Sequence, residues 1–326
     1  MVMTRFTQLL GCSVPIQQAA MGDLARPRLA AAVANAGGLG MVGVYGISLP
    51  ALIQTLDQLR AQTTGTIGAN FIMRFVEPAE AHAHVAAAAA RVNVVEFFYS
   101  EPDPVLVEIV HTAGCLACWQ VGSQAEAKAA VHAGCDFIIA QGIEAGGHVR
   151  GTIGLLPLLS QVLDAVDVPV LAAGGIGSGR ALAAVLAAGA DGVRLGTRFL
   201  AAEEADTHPQ YLRTLFTATA ADTVYTEVFA SGWPDAPHRC LRASVEAALA
   251  FPDEIIGQHI HGLTGETSQI QRLQSFVIHT GVTGEIAAMP HWAGESVDGV
   301  KQVQTAAEIM QELMADAEAR LRCWAR

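Results

Sequence analysis

The stretch that decides the fold runs from Pro169 to Thr197 and reads PVLAAGGIGSGRALAAVLAAGADGVRLGT. It begins with a short apolar run, passes through a glycine-rich turn and enters an alanine-rich amphipathic helix. The helix ends in Ala188-Gly189, where glycine can adopt the left-handed conformation that closes a helix without steric strain. A second apolar run follows directly at residues 191–195. This strand–helix–strand unit is typical of a parallel sheet covered by helices.

The same unit repeats toward the N-terminus, and helices there also end in Ala-Gly. Eight strands are predicted, beginning at Pro15, Gly40, Thr66, Val94, Cys115, Asp136, Pro169 and Asp191. Amphipathic patterns predict the helices between them at 27–36, 49–60, 78–91, 104–113, 123–133, 155–165 and 180–188. Eight such units within about 200 residues favour an α/β fold of the (β/α)8 TIM-barrel type, with a doubly wound sheet as the alternative.

The repeating pattern stops near residue 215. Residues 216–285 are more polar, and we expect them to form a small, mostly helical or irregular domain on the substrate side. Helical stretches are predicted there around Arg242–Ala250 and Ser268–Leu273. Residues 306–321 regain helical periodicity and are expected to pack back onto the barrel. The predicted barrel domain therefore comprises residues 1–215 and 286–326.

Composition excludes several classes of protein. The net charge of −12, without a basic run, argues against nucleic-acid and anionic-membrane partners. No long apolar segment or signal-peptide pattern is evident, which predicts a cytoplasmic location. The six cysteines are scattered, and the Cys115-x-x-Cys118 match lies in an apolar run that reads as a buried strand. No set of metal ligands is evident, so no metal site is expected.

Active sites of TIM barrels lie at the carboxyl ends of the strands. Glycines follow the seventh predicted strand at Gly174 and Gly175, and Gly196-Thr197 follows the eighth. Backbone amides in such loops approach phosphate oxygens closely, and Ser178 is expected to cap a helix whose positive end faces them. The spacing does not match the dinucleotide fingerprint. These loops therefore predict a phosphate site, with simple tight turns as the alternative.

The loop after the sixth strand, Gln141-Gly-Ile-Glu-Ala-Gly-Gly-His148, carries the sharpest signal for chemistry. Gly146 and Gly147 would let the chain approach a flat ligand and present His148 over it. Histidine suits proton transfer near neutral pH. We therefore predict that His148 is catalytic, although a loop histidine can also be structural. Glu144 is interpreted as a helix-capping or solvated carboxylate.

These motifs together resemble the nitronate monooxygenase family, formerly called 2-nitropropane dioxygenases, and its relative, FMN-dependent enoyl-ACP reductase II. The resemblance extends from about Phe6 to Leu215, and thinly onward to Ser296. It rests on the segments 15–21, 29–40, 68–70, 141–148, 172–176 and 192–200, with a further match at Trp292-Ala-Gly-Glu-Ser296.

The resemblance implies one noncovalent FMN, a small-molecule substrate and O2, with a homodimer as the candidate assembly. Gly174, Gly175, Gly196 and Thr197 would hold the FMN phosphate. The residues implied along the flavin ring are Gln141, Gly146 and Gly147 on one side, and Asn70, Met21, Ala20 and Gln120 on the other. His148 would act as a base toward a neutral nitroalkane or orient the anionic nitronate. The chain departs from the family at Ala20, where proline is frequent, and at Asp23, where a small residue is usual.

Three functions therefore remain in competition. The first is oxidative denitrification of alkyl nitronates by O2 to a carbonyl compound and nitrite. The second is NAD(P)H-dependent FMN reduction of enoyl thioesters or quinones. Gln141 favours the first, since the enoyl reductases tend to have glutamate there. The third is a non-redox barrel that binds a sugar or nucleotide phosphate through Gly175 and Thr197.

Overall fold

A computed structural model describes residues 2–44, 46–260 and 267–324. Within these residues the strands are β1 (Ile16–Gln18), β2 (Gly40–Gly43), β3 (Ile67–Ile72), β4 (Val94–Phe98), β5 (Leu116–Val121), β6 (Phe137–Gln141), β7 (Gly147–His148), β8 (Val170–Ala173), β9 (Gly192–Leu195), β10 (Thr223–Thr226), β11 (His238–Leu241), β12 (Ile255–Ile260), β13 (Thr267–Gln271) and β14 (Val282–Gly284).

The α-helices, apart from short 3₁₀ turns, are α1 (Arg5–Leu10), α2 (Pro27–Asn35), α3 (Leu49–Arg60), α4 (Ala81–Ala89), α5 (Pro104–Thr112), α6 (Gln124–His132), α7 (Leu155–Leu163), α8 (Gly179–Ala187), α9 (Pro209–Thr217), α10 (Arg242–Ala250) and α11 (Ala306–Trp324). No helix among the described residues is both long and apolar enough to span a membrane.

Eight parallel strands form one sheet in the order β1-β9-β8-β6-β5-β4-β3-β2. Its two edges meet at Leu39, just before β2. The Leu39 amide donates to the Ile16 carbonyl at 2.9 Å, and the Gln18 amide donates to the Leu39 carbonyl at 3.0 Å. These bonds close the sheet, and helices cover its outside. The predicted (β/α)8 TIM barrel is therefore confirmed.

Capping chemistry explains where the barrel helices begin and end. The Ser178 hydroxyl accepts from the amide of Ala181, which confirms the N-cap predicted there, and the Ser123 hydroxyl accepts from the amide of Glu126 in the same way. Gly189 follows α8 with a φ of +105°, as expected of a residue that ends a helix in the left-handed region. The serines and glycines thus fix the lengths of the βα units and keep the strand ends in one plane.

Three helices, α1, α9 and α11, lie outside the repeating units. The sequence pattern missed α1, which covers the amino end of the barrel through an edge-on contact between Phe6 and Phe137, 5.5 Å between ring centres. It also missed α9. The predicted return of the C-terminal helix is confirmed, since Leu313 of α11 belongs to the same buried core as Leu182 of α8.

Residues 216–285 differ from the mostly helical segment that the sequence predicted. Where the structure describes them, at 216–260 and 267–285, they contain β10–β14 and one complete α-helix, α10. The stretch 268–273, predicted as helical, lies largely in β13, because it pairs antiparallel with β12. Local periodicity could not reveal this pairing between short strands. Strand β11 also pairs with β7, so this segment is joined directly to the loop that carries His148.

His291, which is 3% exposed, links this segment to α9, since its carbonyl accepts from the Leu241 amide at 2.9 Å. Its Nε2 bonds to the Ile286 carbonyl at 3.0 Å, and its Nδ1 lies 3.1 Å from the Thr214 hydroxyl. Burial lowers the pKa of His291 to about 4. The folded protein therefore favours the neutral ring.

Because the unfolded chain binds this proton first, we expect stability to fall as the pH drops from 6.5 toward 4. Urea unfolding of wild type and His291→Gln, at pH 7.5 and pH 5, checks this. The wild type should lose about 2 kcal/mol more than the variant between the two pH values. His82→Asn, at an exposed position of α4, serves as the control and should follow the wild type. Equal losses in wild type and His291→Gln would contradict the assignment.

Candidate active site

A cavity of about 650 Å³ opens at the carboxyl ends of the barrel strands. It is lined by backbone and side chains from the loops after the barrel strands and by residues of the 216–285 segment. Ten of the twelve residues selected from the sequence line it: Ala20, Met21, Asn70, Gln120, Gln141, Gly146, Gly147, His148, Gly196 and Thr197. The structure thus brings the predicted flavin-side residues and the predicted catalytic histidine into one space.

Gly174 and Gly175 are not part of the lining of this cavity. Both have positive φ, +107° and +69°. A Cβ on Gly174 would lie 3.0 Å from the Gly142 carbonyl oxygen, and one on Gly175 would lie 3.2 Å from Cβ of Glu144. Their backbone conformation and their packing against the β6 loop therefore both require glycine.

The two glycines before His148 have different roles. A Cβ on Gly146 would collide with the backbone nitrogen of Gly294, so this position is glycine because two backbone segments touch. Gly147 has a φ of +72°, and a Cβ there would meet no atom within 4 Å. Gly147 therefore borders open space in the cavity. A glycine suits this position because the turn before His148 has a positive φ here.

The segment 292–299, part of which the sequence had marked at 292–296, lies across the rim of the barrel. The Gly294 amide donates to the Thr197 hydroxyl at 3.0 Å, and the Glu295 amide donates to the Glu144 carbonyl at 2.9 Å. The Tyr211 hydroxyl donates to the Trp292 carbonyl. These bonds hold the segment over the loops after β6 and β9.

Gln141 positions His148 through the backbone. Its side-chain Nε2 donates to the His148 carbonyl at 3.0 Å, and its Oε1 accepts from the Arg150 amide at 3.1 Å. Both ends of the amide are thus used within its own loop. The side chain at the end of β6 therefore fixes the path of residues 148–150.

Aromatic rings surround His148. The indole of Trp233 stacks on the imidazole with 3.7 Å between ring centres and 20° between planes. Trp292, His238 and Tyr99 lie at 5.4, 5.5 and 6.2 Å. Nε2 of His148 is 3.4 Å from the Ser275 hydroxyl. One ring face is therefore covered by Trp233, and the Nε2 edge borders the cavity.

The surroundings of His148 keep its ring neutral. Burial among these groups, with a smaller contribution from His238, lowers the pKa of His148 to about 3. His238 is itself fully buried, with Nδ1 3.0 Å from the Ala236 carbonyl and Nε2 accepting from the Phe229 amide. An uncharged imidazole at this position can donate or accept a hydrogen bond, but it is a weak base toward carbon.

A polar layer lies inside the barrel beneath the cavity. The carboxylate of Glu96, fully buried on β4, accepts from Gln17, Asn70 and Arg194 at 2.6, 2.7 and 2.6 Å. Burial raises the pKa of Glu96, while Arg194 and the two amides oppose that shift. Asn70 and Arg194 also line the cavity. Glu96 therefore holds two cavity-facing side chains from below.

Gln120, near the end of β5, is the residue that most clearly suggests a ligand-binding role for the cavity. Its side chain is 2% exposed and lines the cavity. Neither its Oε1 nor its Nε2 has a hydrogen-bond partner among the residues that the structure describes. Buried amides are nearly always paired, so this one is suited to a ligand that offers both a donor and an acceptor.

Two further interpretations of the sequence can be compared with the structure. The Glu144 carboxylate accepts from the Leu155 amide at 2.9 and 3.0 Å and so caps α7, as predicted. Cys115 and Cys118 are free, buried thiols at and within β5, and burial raises the pKa of Cys115 to about 12. The strand interpretation of the C-x-x-C match is therefore confirmed.

Sequence reasoning missed most of the surroundings of His148. Tyr99 could have been found, because it follows β4 directly and active-site residues follow barrel strands. Trp233 lies in the 216–285 segment, from which no site residue was predicted. Ser275, His259 and His279, which also line the cavity, gave no signal that linked them to the barrel.

Comparison with known proteins agrees with the resemblance drawn from the motifs. The family model for nitronate monooxygenase matches residues 3–316. A (3aS,4S,5R,7aS)-5-hydroxy-7a-methyl-1-oxo-octahydro-1H-indene-4-carboxyl-CoA dehydrogenase of Rhodococcus jostii is 30% identical over 96% of this chain and 82% of its own length.

Two solved structures share the whole architecture. FabK from Thermotoga maritima superposes with a TM-score of 0.81 and 28% identity, covering 100% of this chain and 99% of its own. Nitroalkane oxidase from Streptomyces ansochromogenes gives a TM-score of 0.77 and 32% identity, covering 99% of this chain and 100% of its own. The chain is therefore an oxidoreductase that belongs to the nitronate monooxygenase family.

Proposed function

We propose that this protein is an FMN-dependent enzyme that oxidises alkyl nitronates with O2 to a carbonyl compound and nitrite. One observation carries the proposal. A neutral histidine, His148, borders the same cavity as the open strand-end positions and the unpaired amide of Gln120. A planar redox group and a small anionic substrate fit such a site together.

The residues present fit FMN. The Gln120 amide can pair with the donor and acceptor atoms along the edge of an isoalloxazine ring. Gly147 and Gly196 border the cavity, and a Cβ on Gly196 would find its nearest neighbour at 3.6 Å, so the backbone there can be approached closely. Gly196 and Thr197, together with the loop of Gly174 and Gly175, would hold the phosphate. When bound, FMN would take an electron from the nitronate and allow reaction with O2.

His148 would orient the substrate. A neutral imidazole carries one N–H, so its ring can donate one hydrogen bond to a nitronate oxygen. A conjugate acid with a pKa of about 3 makes proton removal from a neutral nitroalkane unfavourable. Of the two roles implied by the resemblance, the site therefore favours orientation of the anion over general-base catalysis.

The aromatic groups would keep water from the reacting carbon. Trp233 covers one face of His148 and meets Phe75 and Tyr99 edge-on, each at 4.9 Å. These rings come from three different loops. Together they form an apolar wall on the side of the cavity away from the polar layer, which leaves the substrate few contacts with solvent.

Mixing experiments in air and without oxygen test the proposal. Purified protein should be yellow, and denaturation should release FMN. Adding the nitronate of 1-nitropropane in air should give oxygen uptake with nitrite in stoichiometric amount. Rapid bleaching of the flavin by NAD(P)H without any nitronate-dependent oxygen uptake would overturn it in favour of a reductase. A colourless protein would favour the non-redox alternative.

Gly196→Ala tests where the phosphate lies. In the protein itself the added methyl group makes only ordinary contacts, with Ala19 at 3.6 Å and Met21 at 3.8 Å. We therefore expect the fold to be retained but FMN to bind at least tenfold more weakly, as measured by fluorescence during flavin titration. Gly154→Ala is the matched control, because Gly154 does not line the cavity. Its added methyl group would lie 3.4 Å from the Glu144 carboxylate that caps α7. Unchanged FMN affinity in Gly196→Ala would place the phosphate elsewhere.

A second candidate is redox chemistry on a thioester with NAD(P)H. The relative from Rhodococcus jostii supports it, because that protein is named for dehydrogenation of a carboxyl-CoA compound. The same cavity would then place the carbon chain of the thioester beside His148. The anaerobic experiment separates the two candidates, since only a reductase is bleached by NAD(P)H and reoxidised by an enoyl thioester.

A further inference from the structure

The cavity continues beyond His148 into an arm that the nitronate chemistry does not use. The arm is bordered by Asp23 and Arg26 near the start of α2, by His259 of β12 and by His279. The segment 275–279 runs from His148 to the arm, because the Ser275 hydroxyl contacts His148 and His279 lies four residues further along. Four residues span at most about 14 Å. This span sets an upper limit on the length of a substrate tail that the arm can hold.

His279 carries an unpaired donor in this arm. The side chain is 2% exposed, and its Nδ1 accepts from the Gly281 amide at 3.1 Å. In a neutral ring the proton then sits on Nε2. That atom has no hydrogen-bond partner among the described residues. Burial lowers the pKa of His279, which keeps the ring neutral. A buried donor without an acceptor is costly unless a ligand supplies one.

The charges in the arm decide what kind of ligand it accepts. Arg26 is paired with Asp206 at 2.7 Å, so its charge is already balanced. Asp23 adds a carboxylate that acts electrostatically on His279. An anionic tail would meet this carboxylate and is disfavoured. The arm thus offers one neutral N–H donor and one carboxylate acceptor, which is the complement of an amide.

We propose that this arm binds the uncharged tail of an elongated substrate through an amide group. His279 Nε2 donates to the amide carbonyl oxygen, and Asp23 accepts the amide N–H. His259, whose ring centre lies 6.0 Å from that of His279, forms the outer wall. The inference rests on the proposed function, since the tail is defined relative to a reacting group at His148.

Binding measurements with unreactive probes test this inference separately from turnover. A carboxylate has the same planar, two-oxygen, singly charged head as a nitronate. Octanedioic acid monoamide and nonanoate therefore differ mainly at the tail, and isothermal titration of the FMN-loaded protein gives their Kd values. We expect the monoamide to bind about tenfold more tightly, since one or two hydrogen bonds to buried partners are gained.

Two variants locate the effect. His279→Asn keeps an acceptor for the Gly281 amide but cannot reach the tail, so it should raise the Kd of the monoamide about tenfold and leave that of nonanoate unchanged. Asp23→Leu should also raise the Kd of the monoamide but not that of nonanoate. Equal affinities of the two probes in the wild type would overturn the inference, as would equal weakening of both probes in His279→Asn.

A third probe separates an amide from a cation. If 8-aminooctanoate binds more tightly than the monoamide, the arm selects a positive charge through Asp23, and the amide assignment is wrong. Oxygen uptake with the short nitronate of 1-nitropropane is measured in parallel. Its absence would overturn the nitronate function without affecting the tail result, because the probe titrations involve no turnover.

Discussion

Replacing His148 with alanine is expected to lower kcat/KM for an alkyl nitronate by about two orders of magnitude while FMN remains bound. The variant removes one hydrogen bond from a neutral ring to an anionic substrate, and such bonds contribute about 1.5–3 kcal/mol. A loss of 1.36 kcal/mol corresponds to a tenfold decrease in rate. The flavin should stay because the unpaired Gln120 amide and Gly196 lie on other strands. Oxygen uptake and the flavin spectrum, measured on the same sample, check both parts.

The matched variant is His148→Gln. A glutamine amide can place an N–H donor near the position of Nε2, but it cannot accept a proton in catalysis. If His148 orients the anion, His148→Gln should therefore recover part of the nitronate activity. The activity of the wild type, plotted against pH, should then show no inflection near pH 6.5. If His148 is instead a general base, glutamine should be no better than alanine, and the neutral nitroalkane should be a good wild-type substrate whose turnover falls about 10²–10⁴-fold.

The barrel was predictable from the sequence because its signals are local. An apolar run such as Pro169–Ala173, a capping serine such as Ser178 and a closing glycine such as Gly189 each act within a few residues. Eight apolar runs separated by such helices fix the topology, since parallel neighbours joined by helices have few alternatives. The active site is then expected at the carboxyl ends of the strands, and His148 was selected as a candidate by that rule.

The surroundings of the site could not be predicted, because they depend on contacts between distant segments. Nothing near Gly146 in the sequence indicates that the Gly294 backbone packs against it. The glycine at 146 was therefore interpreted as a ligand-binding residue rather than as a packing requirement. The stretch 268–273 was taken for a helix because its own sequence does not reveal the antiparallel pairing of β13 with β12. Trp233 lies in an irregular stretch shortly before β11, and the pairing of β11 with β7 brings it against His148.

Replacing Glu96 with glutamine is expected to destabilise the folded protein by about 3–5 kcal/mol, because it leaves the guanidinium of Arg194 buried without its counter-charge. Glu96 is fully buried and the Arg194 side chain is 10% exposed, so water cannot take over the role of the carboxylate. Gln17 donates to Oε2 and Asn70 to Oε1 of Glu96, so the variant, which keeps only one oxygen, would also lose one of these two acceptors. Urea unfolding of FMN-saturated protein at pH 7.5 measures the change.

The double variant Glu96→Leu with Arg194→Met separates the ion pair from simple packing. Apolar side chains of similar volume often replace a buried pair at little cost, so the double variant should be more stable than Glu96→Gln alone. It should nevertheless retain FMN poorly, because Asn70 is then no longer held beneath the cavity. A change in stability of less than about 1 kcal/mol in Glu96→Gln would contradict the role of Glu96 as the counter-charge of the buried Arg194 guanidinium.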